Sequence, residues 1–160
     1  MNTLYVAQKF SLLPSYDVVN QYDQMVFRIK AELSLTRHLF VYDAAGREVA
    51  EIKKVLLTLL PRFEVYEYGQ FKGDIQKKLT LMSRRLDVNY MGWQVEGTFP
   101  FWNYSVYDAS GRQIARIDKE LFHMTDHYAI HYDNPSDALS LLCLVLAIDC
   151  IVDDARNQNS

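Results

Sequence analysis

The sequence is poor in the residues that interrupt regular structure. Of its 160 residues only 6 are glycine and 4 are proline, whereas 11 are tyrosine, 8 are phenylalanine and 2 are tryptophan. So many large apolar side chains exclude a disordered chain, because their burial can offset the entropy lost on folding. A chain of this length is expected to bury roughly 70% of its unfolded surface in one core. We therefore predict a single domain that covers residues 1–160.

Cysteine is also scarce. The two cysteines, Cys143 and Cys150, both lie in an apolar C-terminal stretch. On a helix they would be about 10.5 Å apart along the axis, whereas a disulfide requires Cα atoms within about 7 Å. Two thiols that cannot pair with each other indicate a reducing compartment. The N-terminus also lacks the basic segment and apolar run of a secretory signal, so we expect a cytoplasmic protein.

The sequence has no excess of positive charge. Its formal net charge is −3, which excludes the basic domain that usually accompanies nucleic-acid binding. The charge is unevenly distributed, since residues 1–95 hold 13 Lys and Arg against 10 Asp and Glu, and residues 96–160 hold 4 against 10. This asymmetry predicts a weakly basic face and an acidic face.

Motifs of catalysis and of cofactor binding are missing. There is no His-Glu-x-x-His, no Gly-x-Ser-x-Gly and no glycine loop that could hold a phosphate. His123, His127 and His131 are spaced by four residues, but they lie where strands are expected and have no supporting cysteine or carboxylate. We therefore predict no catalytic residue, no metal site and no cofactor, and we expect that the protein is not an enzyme.

A repeat is the most informative feature that is present. Residues 41–47, Val-Tyr-Asp-Ala-Ala-Gly-Arg, return at 106–112 as Val-Tyr-Asp-Ala-Ser-Gly-Arg, and 10 of the 26 positions in 41–66 are identical to those 65 residues later. A shorter pattern lies beneath it, in which an apolar–Ser/Thr–apolar segment such as 57–59 is followed by an aromatic or leucine residue and then a β-branched one. The final β-branched residues of six such units are Val18, Val41, Val65, Val88, Val106 and Ile130.

Each repeat unit has the size and the turn chemistry of a β-hairpin. Apolar residues alternate within the units, which is the period of a half-buried strand. Asp or Asn at the first turn position and Gly at the fourth are typical of hairpin turns, and this pattern occurs at 43–46, 89–92 and 108–111. Six hairpins predict about twelve antiparallel strands, and a sheet of that length closes into a barrel because closure removes exposed edges. We place the barrel at about residues 4–133.

The segment after Asp133 predicts a helix. Asn134 is a capping residue, Pro135 suits the first helical position, and residues 138–152 are apolar except for Ser140 and Asp149. A helix that is apolar on every side lies in a core or in a membrane. Because a membrane span needs about 20 apolar residues, we predict a central helix at about 135–153 inside the barrel, followed by a polar tail at 154–160. The chain is then not transmembrane.

Asp149 is the one carboxylate within the apolar run. A buried carboxylate must be paired, hydrogen-bonded or protonated, because burying an isolated charge is prohibitively costly. One interpretation is that Asp149 contacts a Lys, Arg or Tyr of the barrel wall. The other is that it is a perturbed carboxylate with a chemical role.

These features resemble the LURP-one-related family. The residues that carry the resemblance are the Val-Tyr-Asp-x-x-Gly turns, the Gly-Trp-Gln-Val-Glu-Gly segment at 92–97 and the terminal Leu-Ala-Ile-Asp helix, and it extends over about residues 4–153. The family belongs to the tubby C-terminal-like superfamily, which includes phospholipid scramblases. The resemblance implies a barrel around a central helix, and a surface that binds phosphoinositide headgroups in tubby-like domains. No motif transfers those binding positions to this chain, and the Cys-rich segment of scramblases is absent.

One basic segment is a candidate for anionic-lipid contact. Residues 71–85 contain a single acidic residue, Asp74, and the following five cations: Lys72, Lys77, Lys78, Arg84 and Arg85. Each lysine near an acidic membrane contributes about 1 kcal/mol. The alternative is a set of solvated strand ends whose lysines discourage edge pairing.

The sequence thus favours a non-enzymatic binding or scaffold domain. Its expected partner is a membrane phospholipid surface or a protein, and a lipid partner would make it peripheral to the membrane. An alternative is a small-ligand carrier or enzyme with a site at a barrel mouth near Asp149. A third possibility, membrane insertion of the apolar helix, predicts a protein that requires detergent. No oligomeric state is indicated.

Overall fold

The computed structural model describes residues 1–8, 15–32, 37–78, 86–97, 103–122 and 125–158. These residues form twelve strands, one 3-10 turn and one helix. The strands are β1 Asn2–Gln8, β2 Ser15–Asn20, β3 Met25–Glu32, β4 His38–Asp43, β5 Glu48–Lys54, β6 Arg62–Glu67, β7 Gln70–Lys77, β8 Leu86–Tyr90, β9 Gln94–Gly97, β10 Asn103–Tyr107, β11 Gln113–Phe122 and β12 Thr125–Tyr132. The 3-10 turn Pro135–Asp137 leads into the helix α1, Ala138–Gln158.

The twelve strands form one antiparallel sheet that curls into a nearly closed barrel. Each strand from β1 to β7 pairs with the next in chain order, as does each strand from β9 to β11, and β1 pairs with β12 to join the two halves. The edges are β8 and β9, which a tight turn connects but which share no ladder in the described part of the chain. The predicted antiparallel barrel of about twelve strands is therefore confirmed.

Bulges at regular positions explain the curvature of the sheet. In four hairpins the register shifts directly after a buried valine, and the partner strand holds one extra residue. The shifts follow Val18, Val41, Val65 and Val106, and the extra residues are Val26, Val49, Lys72 and Ile114. A bulge bends its strand and increases the local twist, so bulges at matching places bend the sheet in one direction.

Two turns share the same hydrogen-bond pattern. In the first, the Gly46 amide donates to the Asp43 carbonyl at 3.0 Å and the Ala45 amide donates to Asp43 Oδ1 at 2.9 Å. In the second, Gly111 donates to the Asp108 carbonyl at 3.0 Å, and Ser110 donates to Asp108 Oδ1 at 2.9 Å. The aspartate therefore closes each turn with both its backbone and its side chain, as the Asp-x-x-Gly pattern predicts.

The turn predicted to begin at Asn89 is wrong. Asn89 lies within β8, where its side-chain Nδ2 donates to Asp74 Oδ1 at 3.2 Å. The two central turn residues are instead Met91 and Gly92, whose φ angles are 58° and 66°. Such a turn with positive φ at both central residues matches the twist of hairpin strands, so a tight two-residue turn replaces the longer one expected.

The helix begins where its capping signal indicates. Asn134 Oδ1 accepts a hydrogen bond from the Ser136 amide at 3.1 Å, and Pro135 occupies the first position. The Asp137 amide donates to the Asn134 carbonyl at 3.0 Å, which forms the 3-10 turn that leads into α1. The cap thus satisfies amides that would otherwise lack partners at a helix N-terminus.

The helix fills the barrel. It packs against β5, β6, β7 and β12, and its residues 141–148 and 150–152 are all at most 4% exposed. Both cysteine thiols are buried and free, as expected from their spacing. Among the described residues, one helix, Pro135–Asp154, is long and apolar enough to cross a membrane, and a core helix of a globular protein meets the same criterion. The helix here is such a core element.

The helix is longer than predicted. It continues to Gln158, five residues beyond the expected end at 153, into the segment predicted to be a polar tail. Two ion pairs between the helix and the barrel wall hold the additional turn: Arg37 with Asp153 at 2.8 Å, and Lys54 with Asp154 at 2.6 Å. Partners on distant strands are not visible in a local hydropathy pattern.

Gly73 gives a direct test of the bulge in β7. Its φ is +149°, and a Cβ at this position would lie 1.9 Å from the Asn89 carbonyl oxygen. We expect Gly73→Ala to lower the free energy of unfolding by about 2–4 kcal/mol, because the backbone of β8 must move. Urea denaturation measures this change. Gly46→Asn is the control, since Gly46 has open space around it and Asn tolerates a positive φ; an equal loss in both variants would contradict this explanation.

Candidate functional site

The two ends of the barrel are defined by the direction of the helix and by the turns and loops that lie there. The lower end, where the helix begins, carries the turns at 21–24, 44–47, 68–69, 91–93 and 108–112. The upper end, where the helix ends, carries the β5–β6 loop at 55–61. Polar groups that reach into the interior are concentrated near these two ends, because the middle of the helix is entirely apolar.

Glu67 anchors the helix near the lower end. This residue of β6 is 6% exposed, and its Oε1 accepts hydrogen bonds from the Tyr90 hydroxyl at 2.7 Å and from the Ser140 hydroxyl at 2.5 Å. Burial raises the pKa of Tyr90 and of Cys143, and the nearby Glu67 carboxylate raises both further. The tyrosine therefore stays protonated as a donor and the thiol stays unreactive. This cluster joins β6, β8 and the first turn of α1.

Two ion pairs anchor the helix at the upper end. Arg37, which precedes β4, contacts Asp153, and Lys54, the last residue of β5, contacts Asp154. The backbones of the two basic residues are also connected, since the Lys54 amide donates to the Arg37 carbonyl at 3.2 Å. Cations at the C-terminal end of a helix also interact favourably with its dipole. The acidic residues near the end of α1 therefore have a structural role.

Asp149 lies one helical turn before this pair of contacts. Its Oδ1 accepts a hydrogen bond from the Tyr128 hydroxyl at 3.1 Å. Burial raises the pKa of Asp149 to about 6, and Asp153 contributes in the same direction, whereas the Tyr128 hydrogen bond, Arg37 and Lys119 lower it. Asp149 thus contacts a tyrosine of the barrel wall, as the first interpretation expects. Its pKa is also raised, and the chemical role in the second interpretation stays a prediction.

Further phenols and one thiol surround Asp149. Burial raises the pKa of Tyr16, Tyr104 and Cys150, and the Asp149 charge adds to the effect on each of them. These groups therefore remain neutral at ordinary pH, which leaves Asp149 as the group of this cluster whose charge changes most readily. A carboxyl that titrates near neutral pH beside neutral hydroxyls can exchange a proton or bind a small polar ligand.

The structure does not bring the predicted basic segment together. Lys72 is the bulge residue near the lower end of β7, whereas Lys77 and Lys78 lie at the upper end, roughly 17 Å along the strand. Lys78 pairs with Asp87 at 3.5 Å. Arg84 and Arg85 lie outside the described residues, as does the aromatic segment at 99–102. Of the three predicted lipid contacts that are described, Lys77 and Lys78 lie at the same end of the barrel.

The β5–β6 loop is a feature that the sequence pattern concealed. Segment 57–59 matches the apolar–Thr–apolar pattern, which we assigned to a repeat unit built from strands, yet residues 55–61 form a loop that exposes Leu56, Leu57 and Leu59. Pro61 two residues after this segment is the signal that marks the loop, since proline is unfavourable inside a sheet. The loop lies beside Lys77, whose amide donates to the Pro61 carbonyl at 3.1 Å.

Of the three histidines spaced by four residues, His131 is the one whose side chain the structure describes. His131 lies 3.1 Å from the Thr3 hydroxyl through Nδ1 and 3.5 Å from Asp118 through Nε2. His123 lies outside the described residues, and the side chain of His127 is not described. Within the described ranges, no three His, Cys, Asp or Glu residues are arranged to hold a metal ion. A shallow pocket that includes His131 lies at the lower end, away from Asp149.

The family of the chain follows from its match to known proteins. A family model described as LURP-one-related matches residues 2–149, which covers all twelve strands and the helix as far as Asp149. The chain belongs to the LURP-one-related family. This confirms the resemblance carried by the turn motifs and the terminal helix.

One curated protein and one solved structure are similar to this LURP-one-related chain. It is 21% identical over 161 residues to a Bacillus subtilis (strain 168) protein, YxjI, which is named as uncharacterised, and the match covers 99% of each chain. Its fold is also similar to the X-ray structure of an Arabidopsis thaliana protein, with a TM-score of 0.64 at 14% identity over 97% of this chain and 91% of the plant chain. At this identity the likeness establishes the fold.

The lower anchor can be tested by removing one hydroxyl. We expect Tyr90→Phe to lower the free energy of unfolding by about 1–3 kcal/mol, because the buried Glu67 carboxylate loses a donor. Tyr66→Phe is a matched control, since the Tyr66 hydroxyl donates to the less buried Glu64 at 2.7 Å, and its loss should cost less than about 0.5 kcal/mol. Urea denaturation compares the two variants. Equal losses would contradict the anchoring role of Glu67.

The raised pKa of Asp149 predicts a pH-dependent stability. The folded protein binds the Asp149 proton more tightly than the unfolded chain, so the free energy of unfolding falls as pH rises from about 4 to about 6. Asp149→Asn keeps an acceptor for Tyr128 and removes this dependence. The free energy of unfolding of the variant minus that of the wild type should therefore be roughly 2–3 kcal/mol larger at pH 7.5 than at pH 4. Urea denaturation at the two pH values measures the difference, and an equal effect at both would contradict the burial of this carboxyl.

Proposed function

We propose that this LURP-one-related chain is a non-catalytic binding domain whose outer surface at the upper end of the barrel binds anionic phospholipid headgroups. The proposal rests on the observation that the helix occupies the inside of the barrel. The helix occupies the centre of the barrel, and the charged groups that reach it hold it there: Glu67, Asp153 and Asp154 each contact a named partner. Binding is then a property of the outer surface.

The upper end offers the charge that such a surface requires. Lys53 and Arg62 lie on the outer face near the upper ends of the adjacent strands β5 and β6, and Lys77 ends the next strand, β7, at the rim of the barrel. The three positions span about 10 Å across the sheet. Lys78 follows directly and is half exposed. The acidic partners Asp74 and Asp87 reduce this charge without cancelling it, since Lys53 is exposed.

Family membership supports a lipid rather than a protein as the partner. The chain also resembles tubby-like domains, whose basic barrel surface binds phosphoinositide headgroups, and this resemblance supports the proposal. A headgroup phosphate requires a few lysines on a rigid surface and no deep pocket, which suits the ends of strands in a filled barrel. A protein partner would instead be recognised by a larger apolar area with a polar rim.

The alternative function, a small-ligand or catalytic site at the upper mouth, is favoured by Asp149. A carboxyl whose pKa is raised to about 6 beside neutral phenols suits proton exchange or the binding of a polar ligand. Under this alternative, Asp149→Asn changes ligand binding or catalysis, and substitutions of surface lysines leave them unchanged. Under the lipid proposal, substitutions of surface lysines weaken vesicle binding, and Asp149→Asn leaves it unchanged.

Vesicle co-sedimentation tests the proposed function. We expect the protein to sediment with vesicles of phosphatidylcholine and phosphatidylserine at low salt, and to remain in solution with phosphatidylcholine alone. The double variant Lys77→Ala, Lys78→Ala should bind on the order of 25-fold more weakly, because each lysine contributes about 1 kcal/mol at an anionic surface. Raising the salt concentration should weaken the wild type in the same direction.

Lys72→Ala is the matched control. Lys72 is an exposed lysine of the same strand, but it lies roughly 17 Å from Lys77, which exceeds the screening length of about 10 Å at 0.1 M salt. Its removal should therefore change binding by less than about twofold. An absence of binding to anionic vesicles at low salt, or an equal loss in both variants, would overturn the proposal.

A further inference from the structure

The β5–β6 loop presents three leucine side chains to solvent. The exposed fractions are 60% for Leu56, 106% for Leu57 and 101% for Leu59, so three large apolar side chains of one short loop face the solvent. Single exposed leucines are ordinary on protein surfaces, but a compact group of them at a loop tip usually marks an interaction site.

Hydrogen bonds hold the loop in this exposed conformation. The Val55 amide donates to the Arg62 carbonyl at 2.9 Å and closes the base of the loop. The Thr58 hydroxyl donates to the Leu60 carbonyl at 2.8 Å, and the buried Pro61 fixes the return to β6. The leucines are therefore held outward before any partner arrives, and a pre-formed tip loses little conformational entropy on binding.

Leu57 is unfavourable for the folded protein in two ways. Its φ is +60°, a left-handed conformation that Gly or Asn adopts at far lower cost than Leu. Its side chain is also fully exposed and therefore contributes no packing to the core. A strained backbone position with an exposed apolar side chain points to a role outside folding.

Cations surround the base of this leucine loop. Lys53 and Lys54 precede it, Arg62 follows it, and Lys77 is hydrogen-bonded to it through the backbone. Lys54 is paired with Asp154 and Arg62 with Asp74, whereas Lys53 is exposed on the outer face. Exposed leucines at the tip of the loop and basic residues at its base match the layers of a membrane, in which the hydrocarbon region lies beneath the anionic headgroups.

We infer that Leu56, Leu57 and Leu59 insert into the acyl region of an anionic membrane while the exposed Lys53 at the base of the loop contacts the headgroups, beside Lys77 and Lys78 at the end of β7. The inference rests on the proposed function and names the element that enters the bilayer. It differs from binding by charge alone in one respect: high salt weakens the association only partly, because the apolar contribution is not screened.

Asparagine at the loop tip tests the insertion without disturbing the fold. Leu57→Asn suits the left-handed backbone, and Leu59→Asn replaces a fully exposed side chain, so both variants should be at least as stable as the wild type in urea denaturation. Each substitution should lower the partition coefficient onto vesicles of phosphatidylcholine and phosphatidylserine at least tenfold, because the buried leucine is lost from the membrane.

Tyr68→Asn is the matched control. Tyr68 also has a positive φ, of 50°, and a 73% exposed side chain, but it lies in the turn between β6 and β7 at the lower end of the barrel. Its replacement makes the same kind of change to surface polarity and backbone strain at a site that faces away from the membrane. We expect its partition coefficient to equal that of the wild type.

A fluorophore at position 59 reports insertion directly. In Leu59→Cys the new thiol is exposed, whereas the native Cys143 and Cys150 are 0% and 1% exposed, so a polarity-sensitive nitrobenzoxadiazole reagent selects the loop. On addition of the same anionic vesicles we expect a blue shift of its emission and quenching by lipids that carry a spin label in the acyl chain. Quenching by headgroup-labelled lipids alone would overturn the insertion and leave headgroup binding intact.

The outcomes separate the two proposals. Absence of wild-type binding to anionic vesicles overturns both the proposed function and the insertion. Binding that is unchanged in Leu57→Asn and Leu59→Asn preserves the proposed function and overturns the insertion. A blue shift that depends on protein concentration without vesicles identifies a second copy of the chain as the partner and also overturns it. Loss of binding in both leucine variants, with Tyr68→Asn unaffected, supports it.

Discussion

The burial of an all-apolar helix is the constraint from which the rest of this structure follows. Residues 141–148 of α1 are apolar on every side, so the fold must cover the whole circumference of the helix. A twelve-stranded sheet does so only when it curls, and the bulges after Val18, Val41, Val65 and Val106 provide the bend. Polar contacts are then confined to the two ends, where Glu67 and the Arg37–Asp153 pair fix the helix in place.

The location of these anchors links stability to the surface proposed for binding. Lys54 holds Asp154 of the helix and is also the last strand residue before the leucine loop, while Arg62 at the other side of the loop is paired with Asp74. The base of the loop is therefore rigid for reasons of packing, and its tip is available for contact. The upper end thus combines structural ion pairs with exposed leucines, and it is the surface for which we propose membrane binding.

Sequence reasoning recovered the parts of this architecture that local patterns encode. The apolar run, the Asn134–Pro135 start and the Asp-x-x-Gly turns predicted the central helix and the hairpins, and the structure follows them. The sequence does not indicate the bulges, since one extra residue hardly disturbs an alternating pattern. Closeness in sequence also groups Lys72 with lysines at the opposite end of its strand, because a strand separates its ends by its full length. Partners of Asp149 and Asp153 come from distant strands, and the exposed loop at 55–61 resembles a strand until Pro61 is considered.

If the outer upper end binds a membrane as proposed, the helix stays inside the barrel throughout. Hydrogen exchange of the amides in Leu141–Val152, measured with and without vesicles of phosphatidylcholine and phosphatidylserine, distinguishes this arrangement from release of the helix. We expect exchange only through global unfolding in both conditions, with added protection confined to the upper end near residues 53–62. Faster exchange of the helix amides on vesicle addition would contradict this arrangement, because it would show that the barrel opens. Protection of the helix amides beyond that in the vesicle-free protein would also contradict it, because it would show that the helix has entered the bilayer.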